Sequence, residues 1–181
     1  MDPLVIVVPD PSLVVLVGAA GAGKSTFAAR HFAPGEVLSS DVFRALVSGD
    51  AADQRATRPA FAALHRSLGR RLAAGQLTVV DATSLTAYAR RGLLARAAAA
   101  RVPAVAIVLD LPADLVRARN LARDGSAAIP DAAVLAQLGD LSRTIERERE
   151  TGWPGFAAVH RLSAAEDVDR VLVRREPARP R

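Results

Sequence analysis

Residues 18–25 read GAAGAGKS, an unbroken match to G-x-x-x-x-G-K-[ST], and no other stretch limits the possible folds so sharply. The residue types follow from the task. Glycines and small alanines let the backbone curl until successive N–H groups point at one anion, and a helix beginning there adds its dipole. Of the 24 Lys and Arg residues, Lys24 is the only lysine, so the single compact ammonium in the chain sits inside this loop. The pattern predicts a phosphate cradle for a nucleoside triphosphate. It comprises Gly18, Ala19, Ala20, Gly21, Ala22, Gly23, Lys24, Ser25 and Thr26, with Lys24 on the β- and γ-phosphates and Ser25 on Mg²⁺.

Hydrophobic periodicity fills in the scaffold. The β-branched run 14–17 predicts a buried parallel strand feeding a helix over 25–31. A short strand over 4–8 precedes it, and a strand over 36–40 leads to a helix that Asp41 N-caps, with Phe43, Leu46 and Val47 facing inward. Phe61, Leu64, Leu68 and Leu72 predict a helix over 58–74 that Gly75 ends. Beyond it come a strand over 77–80, a helix over 87–100, a strand over 104–109, and helices over 112–123 and 130–150. A last strand over 156–162 and a last helix over 166–174 complete the set. This alternation predicts an α/β chain with a central parallel sheet covered on both faces. With the cradle, that is the P-loop NTPase three-layer sandwich, adenylate-kinase-like, carrying a short helical lid over about 117–131. One domain spans 1–175, and the Pro- and Arg-rich tail 176–181 is expected to be disordered.

Three further groups bear on where a phosphate goes. Asp41 stands at a strand's carboxyl end near the cradle, where it can accept a hydroxyl proton; capping the helix is compatible with that role. Arg44 shares its helical face and can hold an anionic group on the acceptor. Arg119 and Arg123, one turn apart before a helix break, are placed to neutralise a transferring phosphoryl group, whereas Arg117 is off that face and expected to meet solvent. Asp81, ending the strand 77–80, resembles a Walker B carboxylate. It either reaches the magnesium shell through water or orients Arg44 or Ser25. Trp153 and Phe156 are aromatic enough to stack on a base, but closure of the core edge is the commoner use.

With these pieces, the chain resembles the kinase module of bacterial polynucleotide kinase-phosphatase enzymes and, more distantly, phage polynucleotide kinase. The similarity rests on GAAGAGKSTFAARHF, EVLSSDVFRALVSGDAADQ, AFAALHRSLGRRLAAGQLTVVDAT and VRARNLAR. The resemblance implies ATP-dependent transfer to the 5′-OH end of RNA or DNA in nucleic-acid repair. Lys24 and Ser25 match that family's P-loop pair, Asp41 its general base, Arg44 its acceptor-phosphate arginine, and Arg119 and Arg123 its lid arginines. The family's bacterial members continue into phosphatase and ligase modules, so either this kinase works alone or partner proteins supply those steps.

Composition sets the outer bounds. A net charge of +5 suits an anionic partner, and the absence of cysteine excludes disulfides and thiolate metal sites. The apolar run 4–8 is too short for a membrane span or a signal peptide, so the sequence reads as a cytoplasmic protein. Two rivals remain: an O-kinase acting on a small molecule, which would keep every donor-side residue, and a non-catalytic NTP-binding regulatory module.

Overall fold

Every residue of Leu13–Val17 is buried, and successive side chains enter opposite cores, which makes this strand the axis of the fold. Val14 and Leu16 join a cluster with Phe27, Ile107 and Val116, while Leu13, Val15 and Val17 join one with Leu64, Leu68 and Leu93. The computed structural model describes residues 4–50, 54–123 and 128–178. Its elements run β1 (Val5–Asp10), β2 (Leu13–Val17), α1 (Lys24–His31), β3 (Val37–Ser39), α2 (Ser40–Ser48), α3 (Thr57–Ala73) and β4 (Thr78–Asp81). They continue with α4 (Ala87–Ala99), β5 (Ala104–Leu109), α5 (Ala113–Leu121), α6 (Asp131–Thr151), β6 (Ala158–Leu162), α7 (Ala165–Arg170) and β7 (Leu172–Pro177).

Five strands pair in parallel in the order β3-β4-β2-β5-β6, with helices packed on both faces. This is the expected three-layer P-loop sandwich. Because β2 leads to β3 on one side while β5 flanks it on the other, the chain diverges at the carboxyl end of β2. Open α/β sheets bind ligands at that crevice.

Two expectations need correction. The segment predicted as the end of the last helix and a disordered tail is strand β7, and β6 is therefore not the last strand. Strand β7 runs parallel to β1 from Val5↔Leu172 to Asp10↔Pro177, forming a separate two-stranded sheet. The pairing has a physical cause. Ile6 and Val8 of β1 are buried in the first core, and Val173 packs against it, so the second strand completes that layer. Two hydrogen bonds of 2.7 Å from Arg175 to Glu36 fasten it. Glu176 and Pro177 are thus ordered in β7, and residues 179–181 lie outside the described range.

Helix α2 is also rotated from its predicted setting. Ser39 is its N-cap, and Asp41 lies inside the first turn. Phe43 packs against the second core, but Leu46 and Val47 are 75% and 44% exposed. The face turned inward carries Ser40, Phe43 and Arg44, so the helix gives up apolar burial to bring polar groups to the crevice.

Arg117 meets solvent as expected, with 39% of its side chain exposed, and also makes a bidentate pair with Asp131, both contacts 2.8 Å, joining α5 to the first turn of α6. The pairing holds Asp131 below the usual carboxylate range.

Candidate active site

The cradle is a turn that only glycine can complete. Gly21 has φ +88°, and a Cβ there would lie 2.4 Å from the carbonyl oxygen of Val116 in α5. Gly23, at φ +92°, is the N-cap of α1, so the helix opens from a left-handed residue and its first N–H groups face the loop. Helix α5 is thereby seated directly against the loop. Asn120, fully buried beneath it, donates 2.8 Å to Ile129 O and accepts 3.2 Å from Ile129 N–H, tying the end of α5 to the approach to α6.

Lys24 is buried and donates 2.9 Å to Ala19 O across the loop. Burial lowers its pKa to about 8; Asp81 opposes that shift, Arg123 adds to it, and Asp41 opposes it. The ordinary value of 10.5 belongs to the unfolded chain. A charged Lys24 therefore costs folding stability below about pH 8, a cost relieved as pH rises towards 10.5. The same depression carries a kinetic prediction. In the nucleotide-free protein the ammonium deprotonates near pH 8, so kcat/KM for the nucleotide falls as pH rises through that value. At saturating nucleotide the bound phosphates hold the proton on Lys24, and kcat stays level to higher pH. A pair of pH–rate profiles checks both halves.

Ser25 donates 2.7 Å to Asp81, the buried last residue of β4. A hydroxyl and a carboxylate side by side at the cradle fit Mg²⁺, which takes few protein oxygens and keeps waters and substrate phosphates as its other ligands. The hydrogen bond also orients Ser25, one of the roles considered for Asp81.

Two hollows flank the cradle. One, of about 620 Å³, is lined on its polar side by Lys24, Ser25, Asp41, Arg44, Asp81 and Arg123, with Phe61 and Ile129 among its walls. The other, of about 350 Å³, is lined by Gly21, Gly23, Thr26, Arg119, Arg123 and Asp169. Arg119 and Arg123 thus part company: Arg119 belongs to the second hollow, and Arg123, just beyond the last turn of α5, borders both. Asp41 and Arg44 form an ion pair at the edge of the larger hollow. The larger hollow therefore gathers Lys24, Ser25, Asp81 and the Asp41–Arg44 pair, with Arg123 bridging to the smaller one. Of the lid expected over about 117–131, residues 124–127 fall outside the described residues.

Sequence patterns gave no sign of two groups that shape the site. Gln137 of α6 accepts a 2.8 Å hydrogen bond from the N–H of Ala20. Arg90 of α4 is buried against Glu148 of α6 at 2.9 Å and donates 3.0 and 2.7 Å to the carbonyls of Ser84 and Leu85. The adjoining Thr83 carbonyl accepts the N–H of Gly18 at 3.1 Å, so this buried pair braces the cradle from behind. Trp153, 4.7 Å below the Arg90 guanidinium, and Phe156 pack at the edge of the second core. No motif spacing marks either arrangement.

No curated protein sequence matches the chain. Among solved structures, a chain of the Pnkp1/Rnl/Hen1 RNA repair complex superposes with a TM-score of 0.66 at 24% identity, over 77% of this chain and 47% of that one. This protein thus spans about half the length of that relative. A sugar kinase from Janibacter sp. HTCC2649 aligns with a TM-score of 0.56 at 22% identity, covering 84% and 85% of the two chains. A gluconokinase from Sinorhizobium meliloti 1021 aligns with 0.54 at 20% identity, covering 90% of each. At such identities these similarities speak to the fold, which is that of P-loop kinases. Among the described residues no helix is long and apolar enough to cross a membrane. Residues 13–147 match the AAA domain family, from the start of β2 to within the last turns of α6, and the chain belongs to that family.

Proposed function

We propose that this protein transfers the γ-phosphoryl group of ATP to the 5′-hydroxyl end of a polynucleotide. The observation that carries the reading is the Asp41–Arg44 pair opening into the same hollow as Lys24, Ser25 and Asp81. Asp41 takes the proton of the attacking hydroxyl as oxygen closes on the γ-phosphorus. Arg44 holds the acceptor phosphate next to the reacting nucleoside. Its present hold on Asp41 gives way as that phosphate competes for the guanidinium, leaving the carboxylate available as a base. Lys24 and Arg123 stabilise charge on the transferring group, Arg119 in the smaller hollow holds the phosphates behind it, and Mg²⁺ at Ser25 and Asp81, when bound, would neutralise the phosphates. Phosphatase and ligase partners would complete end repair.

A second reading has its own support. A hollow of about 620 Å³ with Phe61 and Ile129 in its walls matches the size and mixed lining of small-molecule sites. The sugar kinase and the gluconokinase share the fold. On that reading a small alcohol replaces the strand end.

Incubation with Mg²⁺ and γ-labelled ATP, offering 5′-OH oligonucleotides beside a panel of sugars and other small alcohols, separates the two. The expected result is label on the oligonucleotide 5′ end, declining steeply with added salt and abolished in Lys24→Ala. Label confined to a small alcohol would select the second reading. Label on neither would leave a nucleotide-binding module.

A further inference from the structure

The cradle motif accounts for Lys24 and Ser25 but not for Gln137, which reaches Ala20 from a helix more than a hundred residues downstream. The geometry points to Gln137 as a positioning residue that reads the terminal phosphate of the nucleotide, donating a hydrogen bond from its amide nitrogen to the γ-phosphoryl group. The inference rests on the reading that a nucleoside triphosphate occupies the cradle.

The chemistry of the amide fixes its direction. A backbone N–H can only donate, so the atom facing Ala20 at 2.8 Å must be the side-chain oxygen. The opposite end of the same planar group is an NH₂ with two protons to give. Gln137 is half-buried, and it lines the larger hollow together with Ala20, Lys24, Asp41 and Arg123.

Position along the cradle says which phosphate is concerned. Gly21, Gly23 and Thr26 border the smaller hollow, away from Asp41. Ala20, Lys24 and Ser25 border the larger one, on the acceptor side. A polyphosphate laid from the smaller hollow to the larger therefore brings its last phosphate to the Ala20 side. A neutral donor there adds a directed hydrogen bond without placing another positive charge beside Lys24. It also couples α6 to the loop, because the same amide grips the cradle backbone.

The test compares ADP with the non-hydrolysable β,γ-imido analogue of ATP, each titrated with Mg²⁺ against wild type, Gln137→Glu and Gln137→Leu. Gln137→Glu keeps an oxygen for Ala20 N–H and replaces the donor by a negative oxygen, so the loop contact survives while the phosphate contact turns repulsive. Affinity for the triphosphate analogue is expected to fall about tenfold or more, since hydrogen bonds to charged groups are of that strength. ADP affinity should change little in this variant. Gln137→Leu should lose triphosphate affinity in the same direction while its thermal midpoint stays close to that of wild type. Equal weakening of both nucleotides, or no change in either, would overturn the inference and leave Gln137 as a prop for the loop. Failure of wild type to bind either nucleotide would instead overturn the triphosphate reading, and the inference with it.

Discussion

Asp41→Asn is expected to slow phosphoryl transfer by roughly two to four orders of magnitude, the span attributed to a positioned general base, while ATP affinity changes little. The asymmetry follows from where Asp41 stands. It sits on the first turn of α2, across the larger hollow from the cradle, and its effect on Lys24 ranks below those of burial, Asp81 and Arg123. Asparagine preserves the side-chain shape and an oxygen for Arg44 but cannot take up a proton at working pH. Single-turnover rates beside nucleotide titrations separate the two quantities. If nucleotide affinity fell in step with the rate, Asp41 would belong to the donor side, and the proposed division of labour across the hollow would be wrong.

Glu148→Ala carries the largest expected effect on stability, a loss of about 3–5 kcal/mol, as when one member of a buried ion pair is removed. Arg90 and Glu148 are 3% and 5% exposed, so the variant leaves a guanidinium with two carbonyls and the face of Trp153 for company but no counter-charge. Burial already lowers the Arg90 pKa against the pull of Glu148, which marks how poorly this position tolerates a lone cation. Exchanging both partners for apolar residues of similar volume should recover much of the loss, because the desolvation cost disappears with the charges. Urea unfolding of the single and double variants measures both values. The cradle should suffer too, since Arg90 fixes the carbonyls of Ser84 and Leu85, beside the Thr83 carbonyl that receives Gly18 N–H.

These two residues illustrate what the sequence could and could not convey. Strands β2, β4 and β5, helix α3 and the cradle are written in local patterns: β-branched runs, a three-four apolar spacing, and glycines where the backbone turns. Strand β7 is not, because its pairing depends on β1 at the other end of the chain, and its residues alone read as helix and tail. The rotation of α2 escaped for a related reason. Its apolar residues suggested one inward face, but Arg44 and Ser40 take that face to reach the crevice. Asp41, Arg44, Arg119 and Arg123 were visible as residue types at suggestive spacings. That Arg123 borders both hollows while Arg119 borders only the smaller depends on where α5 ends. Gln137, Glu148 and Asp131, the partner of Arg117, belong to α6, whose contributions depend on tertiary packing and leave no spacing to recognise.

The small parallel sheet of β1 and β7 also bears on how the chain is made. Its first strand leaves the ribosome long before its partner exists, so Ile6 and Val8 must wait with their backbone unpaired while the five-stranded sheet assembles behind them. Long-range pairing of this kind is slow to form and open to wrong partners. Synthesis halted just before Leu172 should therefore yield a nascent protein in which β1 remains a sticky edge, shielded only when residues 172–177 emerge and close it.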